Sequence, residues 1–320
     1  MEIKHAVMIG LLGEQHDRFH TYTPPRSLSE RLDMLREMPR CGGIEVVYPA
    51  EFRDLEAGVR EIRASGWPVS AVNLNVKGDA HWRNGSFTSS DATIRAAAVR
   101  DLKLCMDLAA DLGTDTVTCC PLIDGHNYVF QADYVLQWQW LRDGIAEAAQ
   151  YRGDIRLSLE FKINESRNYC ILGDTGRALY LCGELGMPNV GLTYDMGHAL
   201  VAHESPAATT ALALQANKLF YMHLNDNGGE WDWDMIPGAA HVWELVETLY
   251  YLDRHNWDGW FCYDLSVRSG DDAIAIQNAT MQVVDTAYAL LDRLGRDRLA
   301  ALIAGGAPHE AVTALWQALS

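Results

Sequence analysis

Residues 155–167 read Ile-Arg-Leu-Ser-Leu-Glu-Phe-Lys-Ile-Asn-Glu-Ser-Arg, an apolar run that ends in a cluster of polar side chains. The apolar part is typical of a buried β-strand. Residues 160–167 then supply two carboxylates, an ammonium, an amide and a guanidinium. Because such groups must be paired or hydrated, clustering them for packing alone is costly, whereas together they can hold a metal ion and orient a polyol. The end of this strand is therefore predicted to lie in an active site.

The same alternation of short apolar runs and longer amphipathic segments continues along almost the whole chain. It predicts strands at 6–11, 43–48, 69–75, 115–120, 155–160, 190–195, 219–224 and 259–265. It predicts helices at 27–39, 52–64, 89–112, 132–151, 173–186, 205–216, 241–254 and 271–295. Eight βα units within about 290 residues match the number and size of a TIM (β/α)8 barrel. A doubly wound open sheet is the alternative, but it does not need eight strands, and no GxGxxG turn follows the first strand.

Capping signals support these boundaries. Ser27, with Glu30 three residues later, and Ser89 are predicted helix N-caps. Gly113 and Gly186 are predicted to end their helices. We expect residues 1–296 to form a catalytic barrel domain and residues 297–320 to form a short C-terminal helical tail.

The composition restricts the class of protein. The chain has 320 residues, is 48% hydrophobic and carries a formal net charge of −17. This charge repels nucleic acid and anionic membranes, but it is compatible with neutral small molecules and divalent cations. We find no apolar run of about 18 residues and no signal-peptide pattern. Seven cysteines without a CxxC pair favour a reducing compartment, so a cytoplasmic location is expected.

Potential metal ligands follow four consecutive predicted strands, the fifth to the eighth. They are Glu160, Asp195, His198, His223, Asp232, Asp234 and Asp264. In a TIM barrel these strand ends meet at one mouth, where so many like charges require neutralising cations. Five carboxylates and two imidazoles favour Mg²⁺, Mn²⁺ or Co²⁺ over a thiolate zinc site. We expect one or two ions per chain, with two favoured because seven ligands exceed the protein share of one octahedral shell.

Each of these residues also has a structural interpretation. His223 could be a hydrogen-bonded core histidine, and the aspartates of 232–234 could be solvated in a loop. Asp264 could cap the next helix, while Asp195 and His198 could be a structural pair. Their coincidence at successive strand ends favours a metal site.

The chain resembles the xylose isomerase-type sugar isomerases. The strand-five motif of that family, E-x-K-x-N-E-x-R, is matched by residues 160–167. The other similar segments are, in chain order, 85–91 with Arg95 and 106–108, the acid-x-G-H pattern at 195–198, Lys-Leu-Phe at 218–220 and D-x-D at 232–234. The resemblance covers roughly residues 75–270, and its matches are ordered and coincide with the candidate ligands.

This resemblance implies a two-metal aldose-ketose isomerase. It implies that one ion is bound by Glu160, Asp195, His223 and Asp264, and the other by Asp195, His198, Asp232 and Asp234. It also implies that Lys162 hydrogen-bonds the substrate carbonyl oxygen while hydride moves between C1 and C2 of the sugar. The expected catalytic residues are Lys162, Glu160, Asp264 and His198.

The chain departs from the family after strands two and four. Residues 46–51 lack the histidine of the ring-opening pair, and residues 120–128 replace a tryptophan and a Gly-Arg-Glu segment. His223 stands where xylose isomerases carry an aspartate, a usage more like rhamnose isomerases and ketose 3-epimerases. We therefore expect a sugar other than xylose or glucose. Its predicted contacts are Glu51, His126, Trp231 and Arg268, although His126 could be an ordinary loop histidine and Trp231 could serve a subunit interface.

Three other functions remain open at this stage. A ketose 3-epimerase or related lyase shares the ligands Glu160, Asp195 and His223, but it uses one metal and two acidic proton carriers. An apurinic endonuclease needs a histidine-rich zinc cluster and a basic DNA face, which Asp234 and the charge of −17 disfavour. A non-catalytic sugar-binding subunit is the third. We expect the sugar isomerase to be a homodimer or a homotetramer.

Overall fold

Eight parallel strands form a closed barrel in this computed structural model, which describes residues 1–17, 19–165, 167–266 and 272–319. The strands are β1 (Lys4–Met8), β2 (Gly43–Tyr48), β3 (Val69–Leu74), β4 (Thr116–Cys119), β5 (Arg156–Glu160), β6 (Val190–Asp195), β7 (Leu219–His223) and β8 (Trp260–Tyr263). Each strand pairs in parallel with the next, and β8 closes the barrel on β1. The prediction of a TIM barrel is confirmed.

Helices follow the strands around the outside of the barrel. They are α1 (Leu28–Met34), α2 (Leu55–Ser65), α3 (Ala92–Leu112), α4 (Tyr134–Tyr151), α5 (Thr175–Leu185), α6 (Met196–Val201), α7 (Pro206–Gln215), α8 (Val242–Arg254), α9 (Ala273–Leu294), α10 (Arg296–Gly305) and α11 (Pro308–Gln317). The short α6 is absent from the sequence prediction because its six residues do not show a helical period of their own.

The first strand differs most from its prediction. The apolar pattern places it at 6–11, whereas β1 ends at Met8 and Ile9–Leu12 form a 3₁₀ turn. Ile9 and Leu12 are both buried, so the turn packs into the core as a strand would. An apolar run alone cannot distinguish the two conformations.

The capping predictions are confirmed in three places and wrong in one. The Ser27 hydroxyl accepts a hydrogen bond from the Glu30 amide (3.2 Å), and the Glu30 side chain accepts one from the Ser27 amide (2.7 Å). Helices α3 and α5 end at Gly113 and Gly186, both in the left-handed conformation. The N-cap of α3, however, is Asp91 rather than Ser89, because the Asp91 carboxylate accepts the Thr93 amide (2.8 Å).

The inside of the barrel is lined by both apolar and polar side chains. A small apolar cluster fills it, formed by Ala6, Met8, Val47, Ala71, Tyr221 and Cys262. A separate and larger apolar layer lies between the strands and the helices. Within the barrel, fully buried Glu45 and Thr118 form a polar layer. This layer lies against the strand ends that carry the candidate ligands.

A small antiparallel sheet, which the sequence pattern does not predict, lies beyond the ends of β4 and β5. Residues 168–170 pair with Gly125–His126 on one side and with Asn164–Glu165 on the other. A Cβ atom at Gly125 would lie only 1.9 Å from the Tyr169 carbonyl oxygen, so this close approach requires glycine. The polar stretch after β5 is thus tied to the loop after β4.

The C-terminal helices pack against the barrel helices. Trp316 of α11 makes an edge-to-face contact with Trp243 of α8, with ring centroids 6.1 Å apart. Arg296, at the start of α10, donates from Nε to Asp253 Oδ2 at 2.5 Å. The region predicted as a helical tail therefore contains helices, and its separation from a 1–296 domain stays an interpretation.

No helix in the described part of the chain has both the length and the hydrophobicity needed to cross a membrane.

The ion pair between Asp253 of α8 and Arg296 of α10 predicts a pH-dependent stability. Burial by itself would raise the pKa of Asp253, but hydrogen bonds from Arg296 and Tyr288 outweigh it and lower the pKa to about 2. Such a carboxyl stabilises the folded state above its unfolded pKa near 4 and loses that contribution as the pH falls toward 2. We expect Asp253→Asn to lower the free energy of unfolding at pH 7 by about 1 to 2 kcal/mol.

Urea unfolding of both proteins at pH 7 and at about pH 3 tests this expectation, since the difference should shrink at the lower pH. Asp292→Asn is the matched control, because Asp292 binds the same Arg296 but is largely exposed. A destabilisation by Asp253→Asn that does not change with pH would contradict the assignment.

Candidate metal centre

Three predicted ligands converge at the C-terminal ends of neighbouring strands. Glu160 ends β5, Asp195 ends β6 and His223 ends β7. The parallel register of β6 and β7 places Asp195 directly beside His223. All three side chains are buried, and each offers a ligand atom within 4.8 Å of the others. The group is compact enough to bind a single cation.

His198 and Asp232 extend this group. The Asp195 carboxylate caps α6 by accepting a hydrogen bond from the His198 amide (2.8 Å), which fixes the imidazole next to β5. His198 Nδ1 lies 3.0 Å from Glu160 Oε1, and its Nε2 lies 3.1 Å from Asp232 Oδ2. The His198 imidazole thus contacts Glu160 of one predicted ligand set and Asp232 of the other.

Asp234 and Asp264 line the same cavity, which has a volume of about 950 Å³. Asp234 has a left-handed backbone (φ 49°) and accepts a hydrogen bond from the Ser266 hydroxyl at 3.0 Å. Burial raises the pKa of both aspartates, and repulsion from Asp264 raises that of Asp234 further. A bound cation would relieve this repulsion.

Buried atoms without hydrogen bonds show that the group fits a cation. Among the described residues, Nδ1 of His198 and of His223 makes no well-directed hydrogen bond, although Glu160 oxygens lie 3.0 and 3.4 Å away, and Asp232 Oδ1 makes none either. Burial also raises the pKa of Asp195 to about 7, despite the two imidazoles nearby. Buried polar atoms normally have partners, and a divalent cation is the partner that lone pairs on imidazole and carboxylate can share. The donor set, rich in oxygen with two nitrogens, suits Mg²⁺, Mn²⁺ or Co²⁺.

Glu45, in the middle of β2, was not among the residues selected from sequence, yet it orients His223. Its Oε2 lies 2.9 Å from His223 Nε2, while its Oε1 accepts hydrogen bonds from Thr118 (2.5 Å) and Asn73 (3.1 Å). Burial by itself would raise the pKa of Glu45, but His223 and Thr118 outweigh it and lower that pKa. The carboxylate therefore keeps a proton on Nε2 and leaves Nδ1 to face Glu160. The signal in the sequence is a lone acid inside an apolar strand.

Asn225 was likewise not among the site residues selected from the sequence. Its side-chain amide donates to both Asp195 oxygens, at 3.3 and 3.0 Å. A Cβ at Gly197 would lie 1.7 Å from Asn225 Oδ1, so glycine is needed for this approach. Asn225 directly follows the strand-end residues of β7, and its side chain fixes the carboxylate that both ligand sets share.

Lys162 lies at the rim of the same group. Its ammonium is 2.8 Å from Asp232 Oδ2 and 2.9 Å from Glu165 Oε2. Burial by itself would lower the pKa of Lys162, but the charges of Asp232 and Glu165 outweigh it and raise that pKa well above its usual value. The side chain is thus a charged donor that faces the cavity.

Glu51, a predicted substrate contact, makes structural contacts within the protein. Its side chain has no exposed surface, although the residue borders the cavity. One carboxylate oxygen accepts the Val47 amide (2.6 Å), and the other binds Arg31. Both oxygens are therefore engaged in joining β2 to α1, and contact with a substrate stays a prediction.

Of the other predicted substrate contacts, His126 lies apart from the ligand group. His126 lies in the small sheet, 4.5 Å from the Tyr134 ring, and lines a different cavity of about 990 Å³. Trp231 is 37% exposed beside the ligand loop. Arg268 falls outside the described residues. The roles of all three stay predictions.

Comparison with known proteins gives a consistent family. The model of the family described as "Xylose isomerase-like TIM barrel" matches residues 33–287. A xylose isomerase of Thermus thermophilus is 32% identical over 206 residues, which are 61% of this chain and 53% of that protein. A xylose isomerase of Thermus caldophilus is 31% identical over 206 residues, which are 62% of this chain and 53% of that protein. The chain thus spans about half the length of these curated relatives.

Similar solved structures cover nearly the whole chain. A D-tagatose 3-epimerase-like protein has a TM-score of 0.71 at 16% identity, covering 91% of this chain and 98% of its own. An L-ribulose 3-epimerase has a TM-score of 0.68 at 16% identity, and the match covers 94% of this chain and 98% of that protein. A 3-keto-D-glucoside 4-epimerase from E. coli has a TM-score of 0.67 at 16% identity, and the match covers 89% of this chain and 100% of that protein. At such identities the likeness concerns the fold, whereas the family model matches most of the sequence, so this chain belongs to the family of xylose isomerase-like TIM barrels.

Proposed function

We propose that this chain is a divalent-metal-dependent sugar isomerase that interconverts an aldose and a ketose. The observation that carries this proposal is the contact of a charged lysine, Lys162, with the buried carboxylate and imidazole group at one barrel mouth. Membership of the family and the similarity to Thermus xylose isomerases support sugar chemistry. The reaction would be a 1,2-hydride shift on a sugar other than xylose or glucose.

The metal would be Mn²⁺ or Mg²⁺, with Co²⁺ as a further candidate, and one or two ions would bind per chain. One site would consist of Glu160, Asp195, His223 and Asp264, and the other of Asp195, His198, Asp232 and Asp234. Such ions, when bound, polarise the carbonyl and hydroxyl oxygens on neighbouring sugar carbons.

The residues of the chain would orient the sugar and stabilise charge. Lys162 would donate a hydrogen bond to the carbonyl oxygen, where negative charge develops as hydride moves between the two carbons. Glu165 and Asp232 hold the ammonium from two sides, so it need not reorganise during the reaction. Glu160, Asp264 and His198 would complete the catalytic group by positioning the reacting oxygens.

The ends of β2 and β4 support an unfamiliar sugar. Cys120 and Leu122 line the cavity after β4, where the resemblance would place a tryptophan. After β2 no histidine is present, and Glu51 is engaged with Arg31.

A ketose 3-epimerase, or a related lyase that acts through an enediolate, is the second candidate. Similarity to solved epimerase structures over nearly the whole chain favours it, as does a histidine at position 223. It would use one metal and two acidic groups that remove and return a proton.

Solvent labelling should separate the two candidates. We expect Mn²⁺-loaded protein, incubated in D₂O with a panel of aldoses and ketoses, to form an aldose-ketose pair without deuterium at carbon. A direct hydride shift keeps the migrating hydrogen, whereas proton removal and return admits solvent deuterium. NMR of the products identifies both the sugar and the label. Deuterium at C3 of a ketose would reject the isomerase in favour of the epimerase, and equally fast conversion of xylose would reject the unfamiliar sugar.

Removal of the Lys162 ammonium should separate catalysis from metal binding. We expect Lys162→Ala to lower kcat/KM by about 100-fold or more, because a donor to the developing oxyanion is lost. Metal affinity should not fall, since the substitution removes a positive charge beside Asp232. Lys103→Ala, which breaks a surface ion pair with Glu147, is the control and should leave kcat/KM and metal affinity unchanged. Full activity in Lys162→Ala would point to a non-catalytic sugar-binding role.

The contact between Glu45 and His223 should control metal affinity. We expect Glu45→Gln to weaken Mn²⁺ binding by about 10- to 100-fold, because the neutral amide holds the imidazole tautomer less firmly. Isothermal titration calorimetry measures the Mn²⁺ affinity without any substrate. Glu204→Gln removes a carboxylate that binds Thr175 outside the ligand group, and it should leave the Mn²⁺ affinity unchanged. A Glu45→Gln protein with wild-type Mn²⁺ affinity would refute this role of Glu45.

A further inference from the structure

A second lysine, Lys77, lines the same cavity as Lys162. Lys77 follows β3, which ends at Leu74, and Lys162 follows β5, which ends at Glu160. Only β4 lies between these two strands in the barrel, and parallel strands end at a common mouth. The two lysines therefore belong to the same part of the cavity wall, and a substrate held by Lys162 would come within reach of Lys77.

Lys77 is exposed, and its ammonium has no acidic partner from the protein. In the part of the chain that the structure describes, no carboxylate forms an ion pair with it. Lys162, by contrast, lies 2.8 Å from Asp232 Oδ2 and 2.9 Å from Glu165 Oε2. One lysine of this wall is thus held by the protein, and the other is free to bind a ligand.

The wall around Lys77 is otherwise uncharged. Residues 69–78 and 116–123, which comprise β3, β4 and the segments that follow them, contain Lys77 as their one charged residue. Cys120 and Leu122, which follow β4, line the cavity. An ammonium beside apolar surface is less well hydrated than one in open solvent, so it gains more from an anionic partner.

The acidic residues that follow these two segments are engaged within the protein. Asp79 accepts a hydrogen bond from the His81 amide (3.0 Å) and lies 2.9 Å from Nδ1 of the His81 ring. Asp124 is fully buried, and it accepts hydrogen bonds from the amides of Ser86 (2.8 Å) and Thr88 (2.7 Å). Neither carboxylate neutralises Lys77, which leaves the position open to an anion from a ligand.

The acidic residues on the side of β1 and β2 are matched by basic ones. Glu14 and Glu61 share that side of the cavity with Arg26 and Arg53. Asp54 caps α2, where the helix N-terminus stabilises its charge. At the ligand group, the proposed metal ions would offset the carboxylates. The net charge of −17 therefore does not exclude an anion beside Lys77.

Lys77 is presented on ordered backbone. The side-chain oxygen of Asn75 accepts hydrogen bonds from the amides of Lys77 (2.9 Å) and Gly78 (3.0 Å). Such a contact from an asparagine to the backbone two residues later closes a tight turn. The direction in which the lysine leaves β3 is thus fixed before a ligand binds, which reduces the entropy lost on binding.

The two ammonium groups flank the end of β4. Burial and the charge of Glu160 raise the pKa of the Cys120 thiol there, whereas the charges of Lys77 and Lys162 both act to lower it. Neighbouring strands are about 4.8 Å apart, so β3 and β5 are separated by about 10 Å. A sugar whose carbonyl oxygen contacts Lys162 can therefore bring a group at the far end of its carbon chain to Lys77.

Among the groups that a sugar can offer, an anion suits Lys77 best. A lysine ammonium is a compact and strongly hydrated charge, and its hydrogen bonds to a carboxylate or phosphate are roughly twice as strong as those between neutral groups. Building on the proposed isomerase function, we infer that the sugar is acidic. Lys77 binds its carboxylate or phosphate group, at the end remote from the reacting carbons.

Matched sugars that differ only at C6 test this assignment on the Mn²⁺-loaded full chain. The probes are glucose, galactose and mannose, each with its uronate and its 6-phosphate, and isothermal titration calorimetry measures the dissociation constants. In at least one series the charged sugar should bind about 10- to 100-fold more tightly than the neutral one, the gain expected from a hydrogen bond between charged groups. The uronate and phosphate arms identify the anion.

The variant Lys77→Gln should remove this preference. We expect it to weaken binding of the charged sugar by about 10-fold or more, and to change binding of the neutral sugar by less than about twofold. Its Mn²⁺ affinity should not fall, because the lost charge is positive. Arg60→Gln is the matched control, since Arg60 is an exposed basic residue of α2 that lines a separate groove, and it should leave all these affinities unchanged.

Three results would overturn the acidic sugar. The first is that charged and neutral sugars bind equally, or not at all, in all three series. The second is a preference that survives in Lys77→Gln, because the anion would then bind the metal or another group. The third is an equal loss of preference in Arg60→Gln. Each of these would leave the isomerase itself standing, since solvent labelling tests that reaction separately.

Discussion

The need to balance buried negative charge governs the C-terminal mouth of this barrel. Glu160 and Asp195 lie within ligand distance of His223, and Asp234 and Asp264 border the same cavity. Like charges this close are costly in a medium of low polarity unless cations lie between them. The two imidazoles and Lys162 offset part of the charge, yet ring nitrogens and a carboxylate oxygen remain without hydrogen bonds. A bound cation would complete the balance, and the proposed reaction would use the same charge.

The polar layer inside the barrel prepares the ligands before any ion binds. Glu45 fixes the imidazole of His223, and Thr118 and Asn73 fix Glu45 in turn. From the other side Asn225 fixes Asp195. Preorganised ligands lose little freedom when a cation binds, so these residues would contribute to the proposed metal affinity without touching the ion. Residues of β2, β3 and β4 thereby support His223, a candidate ligand at the end of β7.

The small antiparallel sheet supports the candidate site. Its strand Asn164–Glu165 follows Lys162, and Glu165 holds the lysine ammonium. Its middle strand, residues 168–170, pairs both with Asn164–Glu165 and with Gly125–His126. The loop that positions Lys162 is therefore tied to the loop after β4.

Much of the fold and of the ligand set could be predicted from sequence, because both depend on local pattern. A buried strand and its amphipathic helix each leave a period in the sequence, and eight repeats of that pair leave few other architectures. In a parallel barrel, the residue that ends a strand must lie at the common mouth. Glu160, Asp195 and His223 could therefore be grouped before any distance was known.

Tertiary structure alone decided which distant groups meet. Glu45 and His223 are 178 residues apart, and nothing local couples an acid in β2 to a histidine in β7. Glu51 and His126 have the residue types of substrate contacts, but one is engaged with Arg31 and the other faces a separate cavity. The small sheet depends on pairing across more than 40 residues and on the absence of a side chain at Gly125. Periodicity determines which side of an element is buried, whereas the partner of a buried charge is determined only when the barrel closes.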